Sequence, residues 1–350
     1  MSRLGIGTLR LNPDMTPEAF REIVLYGLEN GISYIDCAPT YCEGRCEGLV
    51  GEAVRPFREK IRLASKVPLD VLKKPGDTER FLTDTLRRLG TERLDYYYLW
   101  AVKRAPFETV ALKQGFLREL YVLKERGLIG KIGFSFHDEP AFAPLIIDAA
   151  IRAGTALDAM LCQYNLLHPE MAGSMAYAKN AGLEVHVMGP AAGGKLDPKV
   201  SYPFVLENQN VDIVLAGITG LSMLKENLRL ESTLQDNADK AANMKMTESE
   251  RQKKQALLQL YCTGCGYCLP CPSGIGIPIL LAIWQRYLLS EDAEALQREY
   301  RGYTRKYGLP EDQCTRCGRC EAHCPQGLPV REWITRNINT FIERTPKYTQ

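Results

Sequence analysis

The chain has 350 residues, 45% of them hydrophobic and 25% charged, and its 44 Lys and Arg against 42 Asp and Glu leave a net charge of +2. That is the composition of a globular protein with a sizeable core, long enough for one large domain and a small one, and it excludes a disordered chain. Charge so near neutrality gives no footing for nucleic-acid binding, and no apolar run approaches the ~20 residues that cross a bilayer. The opening residues Met1 to Gly7 show no basic leader and apolar run, so a cytoplasmic protein without a membrane partner is expected.

In chain order, short β-branched or apolar runs recur at residues 4–9, 33–36, 61–65, 95–100, 131–135, 159–163, 184–188 and 211–216. Between them, segments such as 17–30, 78–89, 115–126 and 140–153 carry apolar residues at helical spacing, and Gly31, Gly90, Gly127 and Gly154 stand where helices stop. Eight strand–helix alternations predict a (β/α)8 TIM barrel over residues 1–235. Chemistry in such a barrel sits at the carboxyl ends of the strands. At those ends stand Asp36, with Tyr41 beyond it, for the second predicted strand, Lys66 for the third and Trp100 for the fourth.

A polar linker, in part helical, is expected over residues 236–255, and residues 256–350 read as a separate small domain. Eight of the twelve cysteines fall there in two runs, Cys262, Cys265, Cys268 and Cys271 before Pro272, and Cys314, Cys317, Cys320 and Cys324 before Pro325. In a long chain without a secretory leader, such runs favour metal over disulfides. The second run has the spacing of the bacterial ferredoxin signature, in which three thiolates hold one [4Fe-4S] cluster and the fourth reaches the other. The first run is one residue shorter before its last cysteine. Two clusters are predicted, one on Cys262, Cys265, Cys268 and Cys324, the other on Cys314, Cys317, Cys320 and Cys271. The competing reading is two structural zincs in four-cysteine sites, which leaves the regular third and fourth cysteines of each run without a task.

The 42 residues between the runs show helical periodicity, so the clusters are expected in a mainly α-helical module, with Gly264, Gly266 and Gly318 turning N–H groups toward sulfur. From Lys245 onward there are 15 basic and 11 acidic side chains, against 29 and 31 before it. A basic face could attract an acidic electron-carrier protein. Cys37, Cys42, Cys46 and Cys162 lie outside the runs at irregular spacing. Cys162 reads as core, and Cys37 and Cys42 flank the strand-end residues, where a reactive thiol is conceivable.

Several strings resemble the aldo/keto reductases. Ile35-Asp36-Cys37-Ala38-Pro39-Thr40-Tyr41 is similar to that family's Asp-Thr-Ala-x-x-Tyr, Leu63-Ala64-Ser65-Lys66 to its lysine strand, and Asp95-Tyr96-Tyr97-Tyr98-Leu99 to the strand leading to its histidine. Gly133-Phe134-Ser135, Gln163-Tyr164-Asn165, Gly189-Pro190 and Glu226-Asn227 follow in family order, so the resemblance covers residues 3–235. With the C-terminal cysteines, the whole resembles the ferredoxin-fused branch of that family. The resemblance implies Tyr41 as general acid. A phenol with a pKa of about 10 becomes a usable proton donor when an ammonium (Lys66) lies beside it and a carboxylate (Asp36) holds that ammonium in place. It further implies a small-molecule substrate at the barrel mouth and a nucleotide held by Ser135, Gln163, Gly189, Gly217, Thr219, Glu226 and Asn227, with Gly217 to Gly220 before a helix as a phosphate cradle.

The chain also departs from the family. Trp100 stands where most members carry His, and it offers one N–H donor and a flat apolar face in place of a titrating imidazole, which favours a flat or conjugated substrate over a simple carbonyl. Met188 and Phe136 replace the stacking Tyr and carboxamide-binding Asn, and Gly217, Ile218 and Met223 replace the Lys, Ser and Arg that many members set around the 2′-phosphate. Hydride carries two electrons together and each cluster takes one, so NAD(P)H and the clusters could exchange electrons only through a group able to do both, for which a flavin is the candidate. The leading expectation is an oxidoreductase that uses Tyr41 as proton donor and two clusters as an electron relay. A conventional NAD(P)H-dependent carbonyl reductase with structural clusters, and a non-catalytic electron-transfer or scaffold protein, are the alternatives.

Overall fold

A computed structural model describes residues 2–12, 14–236 and 260–336, and the chain divides into two compact units, Met1–Met244 and Lys245–Gln350. The expected linker, from residue 237 on, lies outside the described residues.

In the first unit, strands β1 (Leu4–Gly7), β2 (Tyr34–Asp36), β3 (Arg62–Pro68), β4 (Leu94–Val102), β5 (Ile129–Phe136), β6 (Ala159–Gln163), β7 (Glu184–Met188) and β8 (Ile213–Gly217) close in sequence order into an all-parallel barrel. The crossovers carry α1 (Pro17–Glu29), α2 (Cys46–Val54), α3 (Asp77–Leu89), α4 (Arg104–Pro106), α5 (Phe116–Glu125), α6 (Phe142–Arg152), α7 (Ala172–Asn180) and α8 (Pro198–Leu206), and α9 (Leu221–Asp236) follows β8. The (β/α)8 expectation holds. Local chemistry explains much of it: Thr16 caps α1 by accepting from the Ala19 N–H, and the chain leaves α3 through Gly90 at φ 61°, a left-handed stop that costs glycine little.

Two strands run further than the sequence suggests. β3 continues through Lys66 to Pro68 because Lys66 pairs with Tyr98 and Pro68 with Trp100, so Lys66 lies within its strand rather than after it. β4 reaches Val102 past a bulge between Leu99 and Val102, where Ala101 takes φ 53°. Left-handed backbone costs a residue with a Cβ about 1 kcal/mol, and bulges of this kind re-aim neighbouring side chains next to active sites.

The barrel interior is aromatic and polar where many such barrels are aliphatic. Tyr34, Tyr96 and Tyr98 pack with Ala64, Ala159, Leu161, Ile213 and Leu215. The hydroxyls of Tyr34 and Tyr98 are 3.0 Å apart, Tyr98 reaches His186 Nδ1 at 2.7 Å, and Tyr96 donates to Glu184 Oε2 at 2.7 Å. Lys131 also pairs with Glu184. These bonds meet the rule that a buried polar group needs a partner.

The described part of the second unit is helical, as expected, with no strand among its described residues. Helices Ile277–Ser290 and Ala293–Tyr307, joined by Glu291 and Asp292, form its frame, followed by short helices Pro310–Gln313, Arg319–Ala322 and Val330–Ile334. Its core is Leu260, Ile275, Leu280, Leu281, Trp284 and Trp333, and Gln285 Nε2 ties the segment entering this unit in place by donating to the Leu260 carbonyl at 2.6 Å. Cys320 and Cys324 are part of that core, and Cys262, Cys268, Cys271 and Cys314 pack against it.

Candidate active site and cluster-binding cysteines

Parallel strands with alternating in–out side chains bring residues far apart in sequence to one rim. Asp36 ends β2 and Lys66 sits beside it on β3, both buried. Lys66 Nζ lies 2.6 Å from each Asp36 carboxylate oxygen and donates to the Cys37 carbonyl at 2.9 Å. Burial pushes the Asp36 carboxyl up, and the Lys66 ammonium pulls against that shift. The same ammonium stands 5.0 Å from the centroid of the Tyr41 ring. Tyr41 opens the short turn Tyr41–Gly44. Its ring meets the Trp100 ring edge-to-face, with centroids 5.6 Å apart and planes at 84°. The four residues that sequence marks as catalytic candidates are therefore one constellation, with an ammonium between a carboxylate and a phenol ring and an indole as side wall.

The nucleotide candidates divide into two sets. Ser135 is buried near the end of β5, Gln163 ends β6 opposite Met188 of β7, and Gly217 ends β8. Gly189 follows β7 at φ 62°, where its carbonyl accepts from Asn165 Nδ2 at 2.8 Å. All four are at carboxyl ends of consecutive strands. Thr219 lies exposed between β8 and α9, while Glu226, exposed, and Asn227, buried, sit within α9.

His137 is the residue that sequence reasoning passed over. Its backbone N–H donates to the Val102 carbonyl at 2.9 Å, which places it beside the end of the bulged β4. Nδ1 lies 3.0 Å from the Ser135 carbonyl oxygen. A carbonyl only accepts, so Nδ1 carries the proton and Nε2 is the acceptor in the neutral ring. Burial, with Lys103 and Lys66 adding to it, brings His137 down to about 4. The available signal was its place two residues after Ser135, at a strand end.

In the second unit, Gly264 and Gly266 take φ 69° and 80°, and the Gly264 N–H donates to Cys262 Sγ at 3.4 Å. The thiols fall into two groups. Burial raises Cys265, with the charges of Cys262 and Cys324 adding to it, and pushes Cys268 up to about 12 in the same company. Cys268, Cys271, Cys314, Cys317 and Cys320 line one pocket. Sulfurs that oppose one another's ionisation become thiolates together only around a cation, which is the donor chemistry of an iron–sulfur centre. Among the described residues no three His, Cys, Asp or Glu side chains converge closely enough for a single ion. Cys162, on β6, is fully buried core.

Comparison with known proteins agrees with this division. Residues 3–248 match the aldo/keto reductase family, and residues 261–328 match a 4Fe-4S dicluster domain. The aldo-keto reductase YhdN of Bacillus subtilis is 29% identical over 225 residues, 60% of this chain and 64% of that protein. The NADH-specific methylglyoxal reductase of Escherichia coli is 26% identical over 235 residues, 59% of this chain and 68% of that enzyme. The chain thus spans just under two thirds of the first of these relatives. The aldo-keto reductase AKR11C1 from Bacillus halodurans, in its holo form, superimposes with a TM-score of 0.56 at 22% identity over 71% of this chain and 95% of that one, a likeness of fold. No helix among the described residues is long and apolar enough to cross a membrane. The chain belongs to the aldo/keto reductase family and carries a 4Fe-4S dicluster domain C-terminal in sequence to its barrel.

Proposed function

We propose that the barrel mouth reduces a small, flat or conjugated organic substrate with Tyr41 as proton donor, and that two [4Fe-4S] clusters relay the electrons. The observation that carries this reading is the buried Lys66 ammonium, held at 2.6 Å by Asp36 and standing 5.0 Å from the Tyr41 ring centre. A positive charge there stabilises the phenolate left when Tyr41 gives its proton to a substrate atom gaining electron density. Asp36 fixes the ammonium's position, and the Trp100 face supports a planar substrate next to the phenol.

The cysteine groups support one cluster on Cys262, Cys265, Cys268 and Cys324 and another on Cys314, Cys317, Cys320 and Cys271. Bound clusters supply one-electron transfer. Arg316 and Arg319 line the same pocket as Cys271 and Cys314, which favours an acidic electron-carrier protein as partner. The placement of Ser135, Gln163, Gly189 and Gly217 at neighbouring strand ends favours a second reading, conventional NAD(P)H-dependent carbonyl reduction with structural clusters. A flavin held by the loops after β7 and β8 would join the two readings. A cytoplasmic location completes the proposal.

The test is a visible spectrum of anaerobically purified protein before and after dithionite, NADH or NADPH. The relay reading expects bleaching by dithionite, with turnover once a reduced carrier protein is supplied. Bleaching by a nicotinamide requires a two-to-one electron converter and brings in the flavin. Clusters that keep one redox state throughout turnover overturn the relay and leave the second reading.

A further inference from the structure

We propose that Cys42 and Cys46 are a thiol pair built to close into a reversible disulfide, a redox modification site beside Tyr41. Three features of the turn after β2 support it. First, both sulfurs are held by one residue, the fully buried Thr8 just beyond β1: Thr8 Oγ1 is 2.9 Å from Cys46 Sγ, and the Thr8 carbonyl accepts from Cys42 Sγ at 3.6 Å. The two thiols also act on each other, Cys46 lowering Cys42 and Cys42 raising Cys46. Second, the chain between them is folded back at a cost. Cys42 and Glu43 have φ 51° and 57°, two consecutive non-glycine residues in the left-handed backbone that a Cβ disfavours. That reversal brings a side chain just before a helix back onto the first residue of α2. Third, the pair is asymmetric: Cys42 is half-buried and Cys46 fully buried.

An accessible attacking thiol with a protected resolving thiol behind it is the arrangement of redox-sensor cysteines. Cys46 and the nearby Arg45 bring Cys42 down to about 7, whereas Cys46 is raised by Cys42 and by burial. Cys37 is fully buried and turned to another partner, the Ala64 carbonyl at 3.1 Å.

The oxidant class is a hydroperoxide. The Cys42 thiolate attacks the peroxide oxygen, an S–O bond forms as the O–O bond breaks, and the leaving hydroxide or alkoxide takes up a proton. Cys46 then gives up its proton and attacks the Cys42 sulfur, so that the S–S bond forms and the S–O bond breaks with loss of water. The two sulfurs together lose the two electrons that the peroxide gains. A disulfide needs sulfurs at about 2.05 Å, closer than two unbonded thiols, so the turn Tyr41–Gly44 must move and Tyr41 moves with it. The disulfide stands independently of the function proposed above; only its effect on turnover rests on that reading.

The experiment uses the intact, anaerobically purified protein with its clusters. The thiol oxidant diamide, which accepts the same two electrons, is added to a level that leaves the visible spectrum unchanged, free thiols are alkylated, and the non-reduced digest is mapped by mass spectrometry. The expected result is a linked peptide joining Cys42 to Cys46, reversed by dithiothreitol and lost in both Cys42→Ser and Cys46→Ser. If Cys46→Ser does not fold, the half-exposed position decides through Cys42→Ser alone. Full alkylation of both cysteines after oxidant, or Cys42 linked to any other thiol, overturns the proposal. A linked peptide with unchanged turnover keeps the modification site and counts against Tyr41 as proton donor.

Discussion

The Tyr41 ring stands edge-to-face against Trp100 with centroids 5.6 Å apart, so an indole occupies the wall beside the phenol where most of the family has a titrating imidazole. Trp100 cannot exchange a proton in the working pH range, so the proposed proton delivery would rest on Tyr41. Tyr41→Phe is expected to lower turnover by about 100-fold or more while the visible spectrum and iron content stay those of the parent. Trp100→Ala should weaken binding of a planar substrate about tenfold, as the loss of one aromatic contact of ~1.5 kcal/mol predicts, while an aliphatic carbonyl compound is affected less. Steady-state kinetics on matched planar and aliphatic substrates check both.

The Lys66–Asp36 pair is buried, so removing one partner strands the other charge. Asp36→Asn should destabilise the barrel by about 3–5 kcal/mol, read as a lower urea midpoint for the barrel transition. Replacing both together, Asp36→Leu with Lys66→Met, should cost less than the single change, because no charge is left uncompensated. Equal losses in the single and double variants would show that the pair is solvated in solution.

His137 falls to about 4 in the folded chain, below the ordinary ~6.5 of a solvent-exposed imidazole. The folded state then resists a proton that the unfolded state accepts. This group's contribution is fully present above about pH 6.5 and is lost progressively as pH falls from there toward 4. Urea midpoints at pH 7, 5.5 and 4.5 should drop more steeply for the parent than for His137→Gln, which has nothing to titrate. Parallel curves would refute the assignment.

The cysteine groups predict a crossed ligand set. Cys324→Ser should disturb the cluster otherwise held by the first run, and Cys271→Ser the one held by the second, each lowering iron by about half where the cluster is lost outright. Paramagnetic resonance of the dithionite-reduced variants distinguishes this from an uncrossed arrangement, in which Cys271→Ser and Cys268→Ser leave the same surviving signal.

Much of the architecture was legible in local pattern. Strand–helix alternation marked the barrel, Gly31, Gly90, Gly127 and Gly154 marked helix exits, and the Cys-x-x-Cys-x-x-Cys runs marked the second unit, because backbone sterics and thiolate chemistry act over a few residues. Asp36, Tyr41 and Lys66 were readable for the same reason: each lies in or beside a short string of recognisable order. The ends of β3 and β4 were misplaced because strand length here is set by the neighbour. Lys66 lies inside its strand since Tyr98 pairs with it across the sheet.

What spacing could not carry is contact between residues distant in the chain. Tyr98 meets His186 across 88 positions and Thr8 meets Cys46 across 38, and the tautomer of His137 follows from a hydrogen bond within its own strand end. By itself the sequence determined the barrel, the order of the strand-end groups and the cysteine runs, since short-range periodicity and ligand spacing specify them. Only the tertiary structure decided which groups share a partner, which charges are buried and which thiols face each other, because these depend on barrel closure and on desolvation, neither of which a linear pattern contains.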